Sequence, residues 1–290
     1  MNELKECPIC SKNEFNHFLT CRDNTVSKKD FTIVQCSGCG FKFTNPIPTE
    51  NKIGEYYKSE EYISHSSTKK GLINRLYHIV RNKTLKQKEG LISKEGKGKT
   101  LLDVGCGAGA FLSHCKNKGW NVHGLEPDET SRKGIKADYN INVNDITELH
   151  NLDSNQFDVI TMWHVLEHVY HLKRDAAKII DVLKDDGVLV IAVPNCESYD
   201  AKHYKENWAA YDVPRHLYHF TKTDVENLFS QFNVELKEVL PMKYDSYYVS
   251  MLSEKYKGGN NLKAFLTGWK SNRNADNTKY SSSIYILRKK

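Results

Sequence analysis

The feature that most constrains this chain is a glycine-rich turn between an apolar strand and a helix. The segment 101–104 is a short apolar run that contains one acid, Asp103. Three glycines follow it: Gly105, Gly107 and Gly109. Glycines in such a turn let the backbone approach a ligand closely, because no Cβ stands in the way. The turn therefore predicts an α/β fold that binds a ligand at the carboxyl end of this strand.

From Lys99 onward, apolar strands alternate with helices. Strands are predicted over 100–104, 121–125, 141–143, 157–163, 188–193, 234–242 and 282–287. This alternation predicts a doubly wound, Rossmann-like α/β fold with a seven-stranded sheet. Thr223 and Glu226 have the spacing of a capping box. The segment 245–280 is polar, with one helix predicted near 262–269.

Acidic residues at strand ends bear on the class of ligand. Glu126, 23 residues after Asp103, together with the glycines also satisfies a dinucleotide-binding pattern. A carboxylate at Asp103, however, is a poor neighbour for a pyrophosphate and a good one for an ammonium or sulfonium group. Asp145 and Ile146 follow the third strand and could hold the edge of an adenine. This set favours S-adenosylmethionine over a dinucleotide.

Taken in order, these stretches resemble the motifs of class I S-adenosylmethionine-dependent methyltransferases over about residues 99–240. The resemblance implies S-adenosylmethionine as the cofactor, with Asp103 and the three glycines along its methionine part. It also implies that Glu126 binds the ribose and that Asp145 with Ile146 binds the adenine. His164, at the end of the fourth strand, is expected to help to shape the cofactor pocket.

Four cysteines near the N-terminus form two matched pairs, Cys7 with Cys10 and Cys36 with Cys39. Paired CxxC segments place four thiolates around one tetrahedral zinc ion, which leaves no open position, so this zinc is expected to be structural. The predicted organisation is a zinc-ribbon-like module over 1–45, a basic helical connector over 46–97 and a methyltransferase domain over 98–290.

Two histidine clusters, 164–168 and 212–220, follow the fourth and fifth strands. With the zinc module and the stretch 60–67, this layout resembles that of sugar C-methyltransferases. The resemblance implies that His216 is the catalytic base and that Tyr62 lines the acceptor pocket. Arg215 stands where those enzymes carry an acid, so their substrate is not carried over.

The first histidine cluster is also similar to a Glu-x-x-Glu-His metal motif found in some ubiquinone-pathway and small-RNA methyltransferases. His164 replaces the first glutamate of that motif. A second metal ion on His164, Glu167 and His168 is therefore an alternative to a role in shaping the cofactor pocket.

The net charge of +6 is concentrated between Lys69 and Lys99, where ten basic residues accompany two acids. Such a stretch is either a solvated helix face or a patch for an acidic partner. Only Tyr77 interrupts it as an aromatic residue, so no platform for stacking bases is evident. The leading prediction is methyl transfer to a small molecule such as a sugar, lipid or cell-envelope precursor.

The alternative prediction is an RNA methyltransferase that docks through the zinc module and the basic stretch. The sequence contains no apolar run long enough to span a bilayer, and its first residues lack an apolar signal region. We therefore expect a cytoplasmic protein, whose oligomeric state the sequence leaves open.

Overall fold

The computed structural model describes residues 1–57 and 72–290, with side chains in the second range described from Val80 onward. The strands are β1 Phe15–Arg22, β2 Asp30–Cys36, β3 Lys42–Thr44, β4 Thr100–Val104, β5 Asn121–Leu125, β6 Phe157–Trp163, β7 Leu183–Pro194, β8 Tyr218–His219, β9 Val234–Pro241 and β10 Ser282–Lys289. The α-helices are α1 Leu72–Glu95, α2 Ala110–Lys116, α3 Glu129–Tyr139, α4 Leu172–Val182, α5 Tyr199–Tyr204, α6 Lys222–Ser230, α7 Asp245–Lys257 and α8 Asn261–Arg273.

The main sheet has the strand order β5-β4-β6-β7-β10-β9. Strands β5, β4, β6 and β7 run parallel, and β10 is antiparallel to both of its neighbours. The apolar stretch 188–193 of β7 is fully buried, as a strand covered by helices on both faces requires. The doubly wound α/β fold expected from the sequence is confirmed.

The predicted seventh strand is reduced to a single bridge, so within the described residues the main sheet has six strands. Leu125 and Asn144 form that bridge, in parallel orientation, beside β5. The preceding Asn140 ends α3 in a left-handed conformation, and Asp145 already caps the 3-10 helix Ile146–Asn151. Too few residues remain between these two caps for a longer ladder at the sheet edge.

A second, antiparallel sheet joins the N-terminal segment to the rest of the chain in the order β1-β2-β3-β8. The strand β8 comes from the loop after β7 and pairs with β3, with Phe43 opposite Tyr218. Phe41, Phe43 and Leu217 are buried in one apolar cluster with residues of the main sheet. The cysteine-bearing segment therefore packs directly on the loop that carries the second histidine cluster.

Helices α7 and α8 form an antiparallel pair within the segment that the sequence predicted to be mostly polar. The buried face of α7 consists largely of small polar side chains, among them Ser246, Ser250 and Ser253. A pattern of apolar periodicity does not detect such a face, which is why α7 was not predicted. None of the helices in the described ranges has the length and hydropathy needed to cross a membrane.

Candidate functional site

The glycine turn after β4 has the backbone conformation that its sequence predicted. Gly105, Gly107 and Gly109 have φ values of +68°, +55° and +72°, which L-residues rarely adopt. A Cβ at Gly105 would lie 2.5 Å from the Val165 side chain, and one at Gly109 would lie 2.7 Å from Ile135. A Cβ at Gly107 would meet nothing within 4 Å. The outer two glycines therefore permit packing, and the middle one faces open space that a ligand can enter.

Asp103 lies at the base of this turn with its side chain buried. The Thr161 hydroxyl of β6 donates a hydrogen bond to Asp103 Oδ1 at 2.6 Å. Burial raises the pKa of Asp103 to about 7, because a desolvated carboxylate loses the stabilisation of water. A cation placed next to this carboxyl group would therefore favour its ionised form.

Glu126, at the end of β5, faces the same turn. Its Oε2 accepts a hydrogen bond from the Gly107 backbone N–H at 2.8 Å, and its Oε1 accepts one from Asp128 N–H at 3.1 Å. Burial raises the pKa of Glu126 above its usual range. A carboxylate has about four acceptor positions, so lone pairs remain for the hydroxyls of a ribose.

Asp145 and Ile146 follow the bridge beside β5 and begin a 3-10 helix. Asp145 accepts hydrogen bonds from Thr147 and forms an ion pair with Arg132 Nη1 at 2.8 Å. Arg132 also donates to the main-chain carbonyl of Glu126. Arg132 thus connects the predicted adenine position to the predicted ribose position, a link that the sequence alone did not reveal.

Lys88 of α1 belongs to the basic stretch between Lys69 and Lys99, for which the sequence left open a solvated helix face or a patch for an acidic partner. Its ammonium lies 4.1 Å from the centroid of the Trp163 ring, within range of a cation–π interaction. Burial lowers the pKa of Lys88, and the charges of Asp103 and Asp245 act in the opposite direction. Helical spacing did not distinguish this inward-facing lysine from its solvated neighbours, so only the structure places it at the site.

His164 stands at the end of β6 with φ of +58°, an unusual conformation for a residue other than glycine. Its Nδ1 bonds Glu167 Oε1 at 3.3 Å, and its Nε2 bonds Asp245 Oδ2 at 3.1 Å. Burial acts to lower the pKa of His164, but the two carboxylates outweigh it and raise the pKa to about 10. His164 is therefore a cation that ties the start of α7 to the end of β6.

His216 and His168 face each other, with ring centroids 4.7 Å apart. His216 Nδ1 lies 2.9 Å from the Ala210 carbonyl oxygen and donates to it. His168 Nδ1 lies 2.9 Å from the Arg215 carbonyl oxygen and also 2.9 Å from the Tyr57 hydroxyl. In both rings the Nδ1 proton is thereby fixed, and Nε2 keeps its lone pair for a substrate proton or a metal ion.

Glu167, His168 and His216 each place a possible ligand atom within 4.8 Å of the other two. Glu167 is fully buried, and within the described residues its Oε2 has no hydrogen-bond partner. The residues that could hold a second metal thus include His216, whereas His164 is engaged by Asp245. This differs from the set His164, Glu167 and His168 that the motif suggested.

Arg215 points away from the histidines and holds their loop in place. The guanidinium is buried, bonds Asp212 in two places and donates to the Tyr56 carbonyl at 2.9 Å. It also lies 3.5 Å from Asp23 in the N-terminal segment. The substitution of an arginine for an acid before His216 is therefore explained by anchoring of the loop. Tyr62, which was predicted to line the acceptor pocket, lies outside the described residues.

The four paired cysteines come together at one point. Cys7 Sγ lies 3.6 Å from Cys39 Sγ, and Cys10 Sγ lies 3.5 Å from Cys36 Sγ. Four sulfurs at 2.3 Å around a tetrahedral zinc would be about 3.8 Å apart, so the observed cluster is compatible with zinc. Burial raises the pKa of Cys39 to about 11, a penalty on the thiolate that a bound cation would remove.

Comparison with known proteins agrees with this geometry. A family profile described as "Methyltransferase domain" matches residues 77–239, more than half of the chain. A ubiquinone biosynthesis O-methyltransferase of Rickettsia bellii (strain OSU 85-389) is 25% identical over 162 residues, which are 50% of this chain and 65% of that protein. The chain thus spans slightly less than two thirds of the length of this relative. For a protein of the same name from Rickettsia typhi, 25% identity extends over 203 residues, 63% of this chain and 80% of that one.

Among solved structures, magnesium protoporphyrin IX methyltransferase from Synechocystis PCC 6803, with bound SAH, aligns with a TM-score of 0.54 at 12% identity. That alignment covers 83% of this chain and all of the other. A putative sarcosine dimethylglycine methyltransferase from Galdieria sulphuraria aligns with a TM-score of 0.52 at 13% identity, over 74% of this chain and 87% of that one. These structural likenesses establish the fold. The chain therefore belongs to the methyltransferase-domain family, and it has the fold of class I, S-adenosylmethionine-dependent methyltransferases.

Proposed function

We propose that this protein transfers the methyl group of S-adenosylmethionine to a small-molecule acceptor bound beside His216. The observation that carries the proposal is a connected series of electrostatic interactions and hydrogen bonds at the carboxyl ends of β4 and β6. Asp103 interacts electrostatically with Lys88, and Lys88 also interacts with Asp245 at the start of α7. His164 joins Asp245 to Glu167, and Glu167 adjoins His216.

The pair of Asp103 and Lys88 suits the methionine end of the donor, which carries an ammonium and a carboxylate. Asp103 would accept the ammonium and Lys88 would meet the carboxylate, so that each buried charge gains a partner of opposite sign. Gly107, with open space beside it, lets the donor approach the backbone, and Glu126 would accept its ribose hydroxyls. Asp145 and Ile146 would border the adenine.

The donor supplies an electrophilic methyl group on a sulfonium, so the protein must orient the acceptor and remove its proton. The lone pair of His216 Nε2 can accept the proton of an acceptor hydroxyl while the new C–O bond forms and the S–C bond breaks. The names of the relatives, ubiquinone biosynthesis O-methyltransferases, support a hydroxyl acceptor. Hydrogen bonding of Nδ1 to Ala210 keeps the ring in the required tautomer.

A divalent cation on Glu167, His168 and His216 is a second way in which these residues could act. The unpartnered Oε2 of Glu167 is the observation that favours it, because a buried oxygen without a donor costs about 1–3 kcal/mol. Such a cation would lower the pKa of an acceptor hydroxyl. A requirement for added Mg²⁺ or Mn²⁺ would distinguish this variant from direct proton removal by His216.

The four-cysteine cluster is proposed to hold one structural zinc ion, since all four sulfurs would be ligands and none of the positions would remain for a substrate. The RNA alternative receives less support from the connector helix. Lys88 points into the site, Lys94 pairs with Glu95, and Lys97 pairs with Asp186. Part of the basic stretch is therefore used within the molecule.

Calorimetry with S-adenosylmethionine and its demethylated product tests the donor site. We expect Gly107→Leu to abolish binding, because the side chain would fill the space that faces the turn. Gly119→Leu is the matched control: Gly119 also has a positive φ of +82° and open surroundings, but it lies at the end of α2. Both variants bear similar backbone strain, so equal loss of binding in both, or unchanged binding in Gly107→Leu, would reject the proposed donor site.

A further inference from the structure

Helix α8 presents its large apolar side chains to solvent. Leu262, Phe265, Leu266 and Trp269, spaced as one face of a helix, are 69%, 58%, 46% and 43% exposed. Tyr248 and Met251 of α7 are also exposed, and the Tyr247 ring stacks on Phe265 at 5.4 Å. We call the four residues of α8 together with Tyr248 and Met251 the apolar face. A patch of this kind on a protein surface usually marks an interaction site.

The opposite side of α8 cannot accommodate these side chains, so rotation of the helix does not offer an alternative packing. Its buried residues are all small: Ala264, Thr267, Gly268 and Ser271. A Cβ at Gly268 would already lie 2.9 Å from the Tyr247 Cα and 3.0 Å from the Ser246 carbonyl oxygen. The close approach of α8 to α7 therefore fixes the large apolar residues on the outside.

The charges around the apolar face have one sign. α8 contains Lys263, Lys270 and Arg273 and no acid. The two acids of α7 are engaged or buried, since Asp245 bonds His164 and Glu254 is buried. Arg273 lies over the Trp269 ring at 5.2 Å. Aromatic and leucine side chains on one face of a helix, flanked by basic residues, are the composition of helices that lie at the surface of anionic membranes.

We propose that the apolar face docks on the surface of an anionic phospholipid bilayer. The leucine and aromatic side chains would enter the boundary between headgroups and acyl chains, and the lysines would remain among the phosphates. The charge pattern favours this partner over a second copy of the chain, because two such faces would bring their basic residues together. Since Asp245 at the start of α7 also bonds His164, docking would bring the rim of the proposed acceptor site close to the membrane.

Co-sedimentation of the full chain with vesicles tests the proposal. We expect binding to vesicles of phosphatidylcholine with 30% phosphatidylglycerol (about one third anionic lipid) that is at least tenfold stronger than binding to phosphatidylcholine alone. Added salt should weaken it. Phe265→Ser with Trp269→Ser, and separately Lys263→Glu with Lys270→Glu, should each reduce binding at least tenfold.

The matched control is Lys29→Glu with Lys202→Glu, which removes the same charge from exposed lysines outside α7 and α8. This control should bind vesicles as well as the unaltered protein if the basic residues of α8, and not the net charge of the whole protein, are responsible for binding. Binding of the donor product by calorimetry verifies that each variant is folded. The proposal would be overturned if the control lost vesicle binding to the same extent, or if the unaltered protein did not bind vesicles. It would also be overturned if the protein bound no vesicles but formed a concentration-dependent dimer that Phe265→Ser with Trp269→Ser abolished.

Discussion

At the scale of single residues, the proposed chemistry depends on how burial controls charge. Asp103 and Glu126 are both buried carboxyl groups with raised pKa, and both lie at strand ends that face Gly107. The pKa of His164 is raised as well, because two carboxylates surround it, and in a histidine a raised pKa favours the charged form. The site therefore contains a carboxyl group, Asp103, whose ionised form a nearby cation would favour, and a histidine that is already a cation. This arrangement suits a donor that is itself positively charged.

The raised pKa of Asp103 leads to a prediction about pH. The group is partly protonated below about pH 7 in the free protein, and a cationic donor favours its ionised form. Affinity for S-adenosylmethionine should therefore rise from pH 5.5 to 7, by up to about tenfold per pH unit if one proton is released. Calorimetry in buffers of different ionisation enthalpy would count that proton.

Asp103→Asn provides the control for this pH effect. It keeps an oxygen that can accept from the Thr161 hydroxyl but removes the titrating charge, so it should bind more weakly at pH 7 and show a flat profile. In the absence of donor, a buried acid with a raised pKa makes folding less favourable as the pH increases from about 4 to 7. Over that range, unliganded Asp103→Asn should therefore become more stable relative to the unaltered protein. An unchanged pH profile in Asp103→Asn would contradict this role for Asp103.

His216 gives a prediction about turnover. If it removes the acceptor proton, His216→Ala should lower kcat by about 10²- to 10⁴-fold. Donor affinity should be nearly unchanged, since Asp103 and Glu126 remain. His203→Ala, an exposed histidine on α5, is the control and should leave both quantities intact. Full turnover in His216→Ala with a true acceptor would exclude the assignment.

At the scale of secondary structure, the sequence predicted elements whose signal is local. The turn after β4 and the parallel strands follow from glycine positions and apolar runs, and the structure confirms them. The capping box was predicted in the wrong place: Thr221 and Asp224 form it, two residues before Thr223 and Glu226. Both pairs have the same spacing, and only tertiary packing of α6 decides between them.

The strand β8 illustrates what local patterns cannot give. Its two residues carry no strand signal of their own, and they pair with β3, which is more than 170 residues away in the chain. The same holds for the anchoring of the histidine loop by Arg215 to Asp23. The residue types at the candidate site were predictable, whereas their positioning by a distant sheet depends on contacts that one sequence does not display.

The pairing of β3 with β8 leads to a prediction about the histidine loop. Thr44 donates a hydrogen bond to the His216 carbonyl at 2.9 Å and contacts His219 Nε2 at 3.1 Å. Thr44→Val keeps the shape of the side chain but leaves these buried groups unpaired, which should cost about 1–3 kcal/mol of stability. We also expect lower turnover with unchanged donor affinity.

Thr20→Val on the exposed side of β1 is the matched control for that change and should be close to neutral. Chemical denaturation monitored by fluorescence would measure the stabilities, and calorimetry would measure donor affinity. Equal stability in Thr44→Val and the unaltered protein would mean that the contact between the two segments does not hold the loop.

At the scale of the whole molecule, the predicted zinc module packs into the same apolar cluster as the main sheet and the loop that carries His216. Cys7, Cys36 and Phe43 belong to one apolar cluster with Leu217 and the main sheet. The glycine turn and Glu126 lie on β4 and β5, at the other side of the sheet from β10 and β9. The cysteine cluster therefore lies closer to the loop that carries the proposed acceptor residue His216 than to the proposed donor site, and it should affect the acceptor more than the donor.

This division predicts what loss of the proposed zinc would do. Cys36→Ser removes one of four ligands, and since a metal supplies much of the folding free energy of so small a module, β1 to β3 should lose their order. The strand β8 would then lose its partner, and His216 would no longer be held against Ala210. We expect turnover to fall by at least tenfold while donor affinity stays within about twofold.

Cys21→Ala, in β1 but outside the cluster of four sulfurs, is the control and should keep both the zinc and the turnover. Elemental analysis, limited proteolysis of residues 1–45, and calorimetry with the donor product measure the three effects. A zinc-free protein that retains full turnover would show that the module and the histidine loop are not coupled.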